Sequence, residues 1–150
     1  MSKLNQGDMM PEFSTTDHNG HPVTAETLKG KKSVIYFYPK DMTPGCTAQA
    51  CNIRDNYDVL LKNNFNVIGI SPDTVKSHQK FAEKHKLPFP LIADTDKSLA
   101  KAFGVWGRKK FMGREYDGIN RTTFVFDENG VLTELIDKVN TKEHTSQIIN

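Results

Sequence analysis

The stretch VIYFYPKDMTPGCTAQAC, residues 34–51, passes from the pattern of a buried strand into that of a helix. Its first five residues are continuously apolar, which is typical of a strand whose sheet is covered by helices on both faces. Pro44 suits the first turn of a helix, because the N–H that proline lacks would have no partner there. The pattern therefore predicts that Cys46 lies in the first helical turn, at the C-terminal end of a central strand, where ligands of open α/β sheets tend to bind.

Three more apolar runs follow the first and alternate with helical patterns. The predicted strands are residues 34–38, 67–70, 91–93 and 122–126, and the predicted helices are residues 45–62, 74–86, 96–103 and 141–149. Such an alternation of strands and helices predicts crossover connections and an α/β fold.

Turn signals near both ends add antiparallel strands to this plan. Asn19-Gly20, within residues 13–23, is a strong signal for a short hairpin. The sequence Asp-Glu-Asn-Gly at residues 127–130 separates the last of those strands from a further apolar run at 131–136, which predicts a second hairpin. We therefore expect a central mixed β-sheet flanked by helices, with an N-terminal β-hairpin extension.

The composition limits the classes of function. A chain of 150 residues is most consistent with one domain, residues 1–150, and its net charge of +2 is nearly neutral. No apolar run approaches the roughly 20 residues that a membrane helix needs, and the N-terminus lacks the apolar core of a secretion signal. The basic residues form only small clusters without interleaved aromatic residues, so nucleic-acid binding is not expected. We expect a cytoplasmic protein.

The two cysteines, Cys46 and Cys51, fall within the same predicted helix. Residues five apart on an ideal helix are turned by about 140°, and their Cα atoms lie about 8.7 Å apart. A disulfide needs a separation below ~7 Å, so the two thiols can bond only if a turn or more of helix unwinds. Such a pair suits a redox cycle better than a structural staple, although a small buried thiol would also explain a cysteine at a helix start.

The predicted position of Cys46 favours an anionic sulfur. The free N–H groups and the dipole of a helix N-terminus attract negative charge. An ordinary cysteine is only about 3 per cent ionised at pH 7, so full ionisation would raise its reactive fraction by roughly 30-fold. The helix terminus supplies about 1 kcal/mol of the ~2 kcal/mol that this requires, so a nearby cation is needed as well.

A metal site is not expected from the sequence. The spacing of the two cysteines is loose for zinc, and the five histidines are scattered along the chain. His78 and His85 lie seven residues apart among lysines, which favours a solvated helix face over a pair of ligands. The sequence also lacks a glycine-rich phosphate loop and a serine elbow.

The segment around Cys46 resembles a known family. Pro39, Thr43 and Cys46 reproduce the Pro-x-x-x-Thr-x-x-Cys motif of peroxiredoxins, and TPGCTAQAC resembles their bacterioferritin-comigratory (BCP/PrxQ) subfamily. The resemblance extends to PEFSTTDHNGHPV at residues 11–23, GISPD at 69–73 and FGVWGRKKFMGREYDGINRTTFVFDENG at 103–130, and so covers nearly the whole chain. It implies a thioredoxin-like fold and a thiol-dependent peroxidase that reduces hydrogen peroxide and organic hydroperoxides.

The resemblance also implies roles for single residues. Cys46 matches the peroxidatic cysteine, and Cys51 matches the resolving cysteine found in the same helix. Thr43 matches the hydroxyl that orients thiolate and peroxide, Pro39 the residue that shields the pocket from water, and Arg121 the arginine that faces the thiolate. Each has a simpler interpretation, because Thr43 could cap the helix, Pro39 could end a strand and Arg121 could form an exposed ion pair.

The reaction that the resemblance implies needs no cofactor, because sulfur carries both electrons. Arg121, the Thr43 hydroxyl and the backbone N–H groups of Gly45 and Cys46 are expected to receive the charge of the breaking O–O bond. The resulting sulfenic acid condenses with Cys51, and thioredoxin reduces the disulfide. A resolving thiol in the same helix is consistent with a monomer. The competing hypothesis is a thioredoxin-like redox sensor without turnover; a dithiol reductase would prefer Cys-x-x-Cys.

Overall fold

The computed structural model describes residues 4–149, with the backbone alone at Phe111. Its strands in chain order are β1 (Ser14–Thr16), β2 (Pro22–Thr24), β3 (Lys32–Phe37), β4 (Phe65–Ser71), β5 (Leu91–Ala93), β6 (Trp106–Phe111), β7 (Arg114–Ile119), β8 (Thr122–Phe126) and β9 (Leu132–Ile136). Its α-helices are α1 (Pro44–Asp55), α2 (Tyr57–Lys62), α3 (Val75–His85), α4 (Ser98–Ala102) and α5 (His144–Ile148).

The central sheet is mixed, with the strand order β5-β4-β3-β8-β9. Strand β4 runs parallel to both β3 and β5, whereas β8 runs antiparallel to β3 and β9. The predicted mixed α/β fold is therefore confirmed. The predicted N-terminal hairpin is confirmed as well: β1 and β2 pair with each other outside this sheet, and Gly20 in their turn has a φ of 83°.

Both faces of the sheet are covered, which explains why its strands are continuously apolar. Successive side chains of a strand point to opposite faces. On one face, Ile35 and Phe37 pack into a core with side chains of α4 and of the N-terminal segment. On the other, Val34 and Tyr36 pack into a core formed with α1, α2 and α3, and this second core includes Cys46.

The predicted helix at residues 45–62 is wrong in one respect, because it is two helices. The break falls at Asn56, whose φ and ψ of −114° and 14° lie outside the helical range. The Asn56 side chain donates a 2.8 Å hydrogen bond to the backbone oxygen of Asn52. Asparagine competes with the backbone for hydrogen bonds in this way, and it interrupts helices for that reason. Both cysteines lie in the first of the two helices.

The hairpin formed by β6 and β7 was not predicted. Its strands are rich in charged residues, and residues 114–117 are exposed, so the apolar alternation that marks a half-buried strand is missing. Its turn is formed by Met112 and Gly113, which have positive φ values of 52° and 79°. Asn-Gly and Asp-Gly are the usual signals for such a turn, and Met112 in the first position does not match either signal.

The remaining helices agree with the sequence in position but are shorter at their ends. The predictions at 74–86 and 96–103 correspond to α3 and α4, and the prediction at 141–149 corresponds to the short α5. Within residues 4–149, no helix has both the length and the apolar character needed to cross a bilayer.

Candidate active site

The loop after β3 and the start of α1 place Cys46 under the protein surface. Pro44 occupies the first turn of α1, and Thr43 before it has the extended backbone of an N-cap residue, with φ and ψ of −80° and 152°. The side chain of Cys46 follows within the same turn, and the residue is 1% exposed. The prediction that Cys46 lies in the first helical turn, beyond the end of a central strand, is confirmed.

Thr43 and Pro39 flank this loop and are both half-buried. The Thr43 hydroxyl does not cap α1; it donates a 2.9 Å hydrogen bond to the backbone oxygen of Lys40. The bond folds the loop back on itself, and the alternative in which Thr43 serves as a side-chain cap is wrong. Pro39 lies two residues beyond the end of β3 and one before Lys40, so it belongs to the same loop.

Arg121 approaches Cys46 directly. Its Nη2 donates a hydrogen bond to the Cys46 sulfur at 3.1 Å, and its Nη1 donates to Oε1 of Gln49. A β-carbon built on Gly45 would lie 3.4 Å from Nη2, at ordinary contact distance, so the guanidinium packs against the first turn of α1. The alternative of an exposed ion-pair arginine is wrong, because Arg121 is half-buried against these two side chains.

Strand register explains how residues 75 positions apart meet. Phe37, the last residue of β3, is paired with Thr122, the first residue of β8. Arg121 therefore lies at the edge of the sheet from which the loop to Cys46 departs. No pattern local to either segment encodes this pairing.

Gln49 was not identified from the sequence, although it lies three residues after Cys46 and therefore on the same helix face. It is fully buried, and its Oε1 accepts the hydrogen bond that orients the Arg121 guanidinium. Within residues 4–149, its Nε2 and the buried hydroxyl of Tyr36 lack hydrogen-bond partners. Buried polar groups are rarely left unpaired, and such exceptions occur at functional sites.

A second cation lies beside this cluster, on the hairpin that the sequence did not predict. The Lys109 side chain donates a 2.7 Å hydrogen bond to the backbone oxygen of Ile119. Burial, together with the neighbouring Arg121 guanidinium, lowers the pKa of Lys109 below its ordinary value, while nearby Cys46 partly opposes that shift. The hairpin therefore adds positive potential to the surroundings of the Cys46 sulfur.

Cys51 lies away from this cluster, on the side of α1 that faces α3. It is half-buried, and its sulfur is 3.8 Å from Nδ1 of His85. Both Cys46 and Cys51 are free thiols within the intact helix α1. The structure therefore agrees with the expectation that an unbroken helix keeps the two sulfurs apart.

The prediction of a solvated His78 is wrong. The residue is fully buried, with its Nδ1 2.7 Å from Oδ2 of Asp41 and its Nε2 3.0 Å from the backbone oxygen of Ile92. His78 shares one face of α3 with the buried Phe81 and Ala82, at a spacing of three and four residues. That spacing was the available signal, and the surrounding lysines of the opposite face obscured it.

Asp41 ties the loop of Cys46 to α3. Besides His78, it accepts hydrogen bonds from the hydroxyls of Tyr38 at 2.7 Å and Ser77 at 2.8 Å. Burial alone would raise the pKa of Asp41, but the hydrogen bonds from His78, Tyr38 and Ser77 outweigh it and hold that pKa below the ordinary value. The backbone N–H of Asp41 in turn donates a 2.8 Å hydrogen bond to Oδ2 of Asp73. The loop is therefore fixed by its neighbours before any substrate binds.

Asp41, Asp73 and His78 are close enough to share a metal ion, with ligand atoms within 4.8 Å of one another. These atoms already take part in short hydrogen bonds with protein groups, including 2.6 Å between the Ser71 hydroxyl and Asp73. The cluster is accounted for as a hydrogen-bond network, and no metal is proposed there.

Replacing Asp41 with asparagine is expected to lower the free energy of unfolding by about 3 kcal/mol at pH 7, because it removes a buried carboxylate that accepts hydrogen bonds from Tyr38, Ser77 and His78. The pKa of Asp41 is depressed in the folded state, so its contribution is complete above the unfolded-state pKa and is lost as the pH falls through the folded one. The deficit of the variant should therefore shrink below about pH 4. Urea unfolding between pH 3 and pH 7 measures it.

The matched control is Asp55→Asn. The Asp55 carboxylate is 63% exposed and pairs with Arg54 at the surface, so this change should alter stability by less than about 1 kcal/mol. A pH-independent loss for Asp41→Asn, or equal losses for both variants, would contradict a stabilising role of the Asp41 charge.

Comparison with known proteins settles the family. The AhpC/TSA family profile matches residues 6–135. The chain belongs to the AhpC/TSA family. It is 44% identical over 150 residues to Peroxiredoxin Bcp of Escherichia coli K12, an alignment that covers 100% of this chain and 96% of that protein. The predicted resemblance to the BCP/PrxQ peroxiredoxins is confirmed.

Solved structures give the same result. A cysteine-to-serine mutant of PrxQ from Xylella fastidiosa superimposes with a TM-score of 0.91 at 30% identity, covering 99% of this peroxiredoxin and 94% of that chain. A bacterioferritin comigratory protein of Xanthomonas campestris, studied for its alkyl peroxide reduction activity, has a TM-score of 0.86 at 31% identity and covers 94% of each chain. The thioredoxin-like fold is confirmed, and so is the enzyme class: this peroxiredoxin is a thiol-dependent peroxidase, with a hydroperoxide as substrate and a thiol as reductant.

Proposed function

We propose that this peroxiredoxin reduces hydrogen peroxide and organic hydroperoxides in the cytoplasm as a monomer, and that thioredoxin re-reduces it. The observation that carries the proposal is the 3.1 Å hydrogen bond from Arg121 to the Cys46 sulfur. A guanidinium keeps its charge at neutral pH, and the helix N-terminus beside it also attracts an anion. Cys46 thus has the environment of a nucleophilic thiolate. The alkyl peroxide activity of the Xanthomonas relative supports organic hydroperoxides as substrates.

In the first step, the Cys46 thiolate attacks the terminal oxygen of the hydroperoxide. An S–O bond forms while the O–O bond breaks, so sulfur loses two electrons and the peroxide gains them. The departing oxygen takes a proton from solvent and leaves as water or an alcohol, and Cys46 becomes a sulfenic acid.

The surrounding donors stabilise the charge that develops on the departing oxygen. Arg121 and the backbone N–H groups of Gly45 and Cys46 are in place before the reaction, and each such donor contributes up to about 3 kcal/mol. The Thr43 hydroxyl, which donates to the backbone oxygen of Lys40 in the structure, joins them by turning its proton toward the bound peroxide. Pro39, half-buried in the same loop, shields the sulfur from water. Ionisation of the thiol alone accounts for at most the roughly 30-fold gain available to it at pH 7, so these donors carry the larger share.

In the second step, Cys51 attacks the sulfur of the Cys46 sulfenic acid. The S–S bond forms as the S–O bond breaks, and the departing hydroxide takes a proton and leaves as water. Helix α1 must unwind first. Immediately after Cys51, the Asn52 side chain donates to the backbone oxygen of Lys142 at 2.9 Å and accepts from the Thr145 N–H at 2.8 Å. These bonds anchor the second half of α1, so the unwinding involves residues 44–51.

In the third step, a dithiol of thioredoxin exchanges with the disulfide and restores both cysteines. The test is steady consumption of hydrogen peroxide in the presence of thioredoxin, its reductase and NADPH. A peroxidase consumes many equivalents of peroxide per protein, whereas a redox sensor stops after one. Consumption of a single equivalent under these conditions would reject the thioredoxin-linked cycle.

Replacing Cys51 with serine is expected to spare the first step and block the second, because Cys46 and its donors are unchanged. The variant should consume one equivalent of peroxide at the wild-type rate and then stall, with steady turnover on thioredoxin at least about tenfold lower. Sulfenic acid at Cys46, trapped with dimedone and located by mass spectrometry, is the measurement. If Cys51→Ser turns over at the wild-type rate with thioredoxin as the only thiol, Cys51 is not the resolving cysteine.

A further inference from the structure

Cys51 has a neighbour that the reaction above does not use. His85 is the last residue of α3, and its Nδ1 lies 3.8 Å from the Cys51 sulfur, a distance at which a thiol donates a hydrogen bond to a ring nitrogen. Arg54, on the next turn of α1, donates a 2.8 Å hydrogen bond to the His85 backbone oxygen. The Phe81 ring packs edge-on against the imidazole, with centroids 5.3 Å apart. The ring is therefore held in place beside the thiol.

The charged groups around His85 favour its neutral form. Burial, and then the cations of Lys84 on α3 and Arg54 on α1, lower the pKa of His85 below 6.5. The Arg54 charge is shared with the carboxylate of Asp55 at 2.9 Å. These surroundings favour the neutral imidazole, and in the tautomer protonated on Nε2 its Nδ1 lone pair faces the Cys51 thiol.

The two cysteines differ in their position on α1 and in the charged groups around them. Cys46 lies at the N-terminus of α1 and contacts the Arg121 guanidinium, so its anion is stabilised by positive charge. Cys51 lies in the middle of the same helix, and the effect of the dipole falls off beyond the first turn. An ordinary thiol there would be only about 3 per cent ionised at pH 7. Because the helix dipole does not stabilise a thiolate at Cys51, ionisation of this thiol requires a nearby proton acceptor.

We propose that His85 accepts the proton of the Cys51 thiol and thereby supplies the thiolate that attacks the Cys46 sulfenic acid. The inference deepens the proposed function and rests on it. Proton transfer from sulfur to Nδ1 precedes the opening of α1, the new S–S bond forms as the S–O bond breaks, and the departing hydroxide takes up a proton to leave as water. Imidazolium then loses its proton to solvent, which restores the base.

The first experiment isolates the thiol. In a Cys46→Ser protein, Cys51 is the only cysteine, and its rate of alkylation by iodoacetamide reports its reactivity at each pH. Adding His85→Gln, which keeps a polar side chain without a base, is expected to slow alkylation at pH 7 by about tenfold. The matched control is His21→Gln, because the His21 side chain is 75% exposed and belongs to the N-terminal hairpin turn. It should leave the rate unchanged.

The second experiment uses the full cycle. In single-turnover mixing with peroxide, His85→Ala is expected to oxidise Cys46 at the wild-type rate but to form the disulfide about tenfold more slowly. Added imidazole should restore disulfide formation in His85→Ala and leave the wild type unaffected, which a merely structural role of His85 does not explain. Wild-type rates of alkylation and disulfide formation in the His85 variants, or failure of imidazole to rescue, would overturn the inference. Absence of any Cys46–Cys51 disulfide in the wild type would instead overturn the proposed function.

Discussion

Replacing Cys46 with serine is expected to reduce peroxide consumption by at least about 1,000-fold, to the background of the buffer. A hydroxyl is a poor nucleophile unless a base removes its proton, and the groups around Cys46 are donors. The Arg121 guanidinium and the N-terminal N–H groups of α1 stabilise an anion but cannot generate one from serine. The loss should therefore be complete and independent of pH between 6 and 9.

Stopped-flow loss of peroxide absorbance, followed in single turnover, measures this effect without any reductase. Two controls accompany it. Cys51→Ser should retain the first oxidation, which shows that loss of a thiol as such is not the cause. Thermal unfolding of Cys46→Ser should differ little from the wild type, because serine is nearly isosteric. Peroxide consumption by a folded Cys46→Ser protein would show that the nucleophile lies elsewhere.

Helix α3 connects the two halves of the proposed cycle. Its His78 holds Asp41 in the loop of Cys46, and its His85 lies against Cys51. The two histidines are seven residues apart and so share one face of the helix. In the proposed cycle helix α1 has to unwind, whereas α3 is bound to the loop and to the sheet through buried contacts. The parts that must stay in place and the part that must move therefore belong to different helices.

The sequence predicts the sheet well, because its signals are local. The runs at 34–38 and 67–70 contain no charged residue, 122–126 ends in three apolar residues, and in the structure they are the strands covered on both faces. The start of α1 is predicted for the same reason, since Pro44 and Gly45 mark it within two residues. A continuous apolar run and the residues that begin a helix each lie within a few consecutive positions, so a single sequence shows them directly.

Features that depend on tertiary contacts are predicted poorly. The burial of His78 depends on the partner that Asp41 provides 37 residues away, and the lysines around His78 obscure the one local signal, its spacing from Phe81 and Ala82. The contact of Arg121 with Cys46 depends on the register of two strands, so only resemblance to a family indicates it in advance. Gln49 and His85 became visible as parts of a site only after the helices were placed.

Replacing Arg121 with methionine is expected to lower the second-order rate constant for peroxide by about 100- to 1,000-fold. Methionine keeps much of the length of the side chain but removes the donor that lies 3.1 Å from the Cys46 sulfur. Loss of one preorganised donor to a developing negative charge has an effect of this size. Arg121→Lys should recover only part of the activity, because a single ammonium cannot bind both Cys46 and Gln49 in the fork geometry of a guanidinium.

The control for charge is Arg108→Met, which removes an arginine from the exposed face of the β6–β7 hairpin. Arg108 is 64% exposed and pairs with Glu115 and Asp117, so its loss should change the rate constant by less than twofold. A similar loss in both variants would mean that general positive potential, rather than the contact with sulfur, governs the reaction.

The size of the Arg121 effect separates two ways in which the guanidinium can act. If it only ionises the thiol, alkylation of Cys46 by iodoacetamide and oxidation by peroxide must fall by the same factor, and by no more than the roughly 30-fold that ionisation can supply at pH 7. If it also stabilises the oxygen that leaves, the peroxide reaction must fall further, since alkylation creates no such charge. Measured in a Cys51→Ser background, where only Cys46 reacts, we expect peroxide oxidation to lose at least about tenfold more than alkylation. Equal losses would mean that Arg121 acts only by ionising the Cys46 thiol. The rate enhancement over a simple thiol would then have to come from Thr43 and the backbone N–H groups of Gly45 and Cys46.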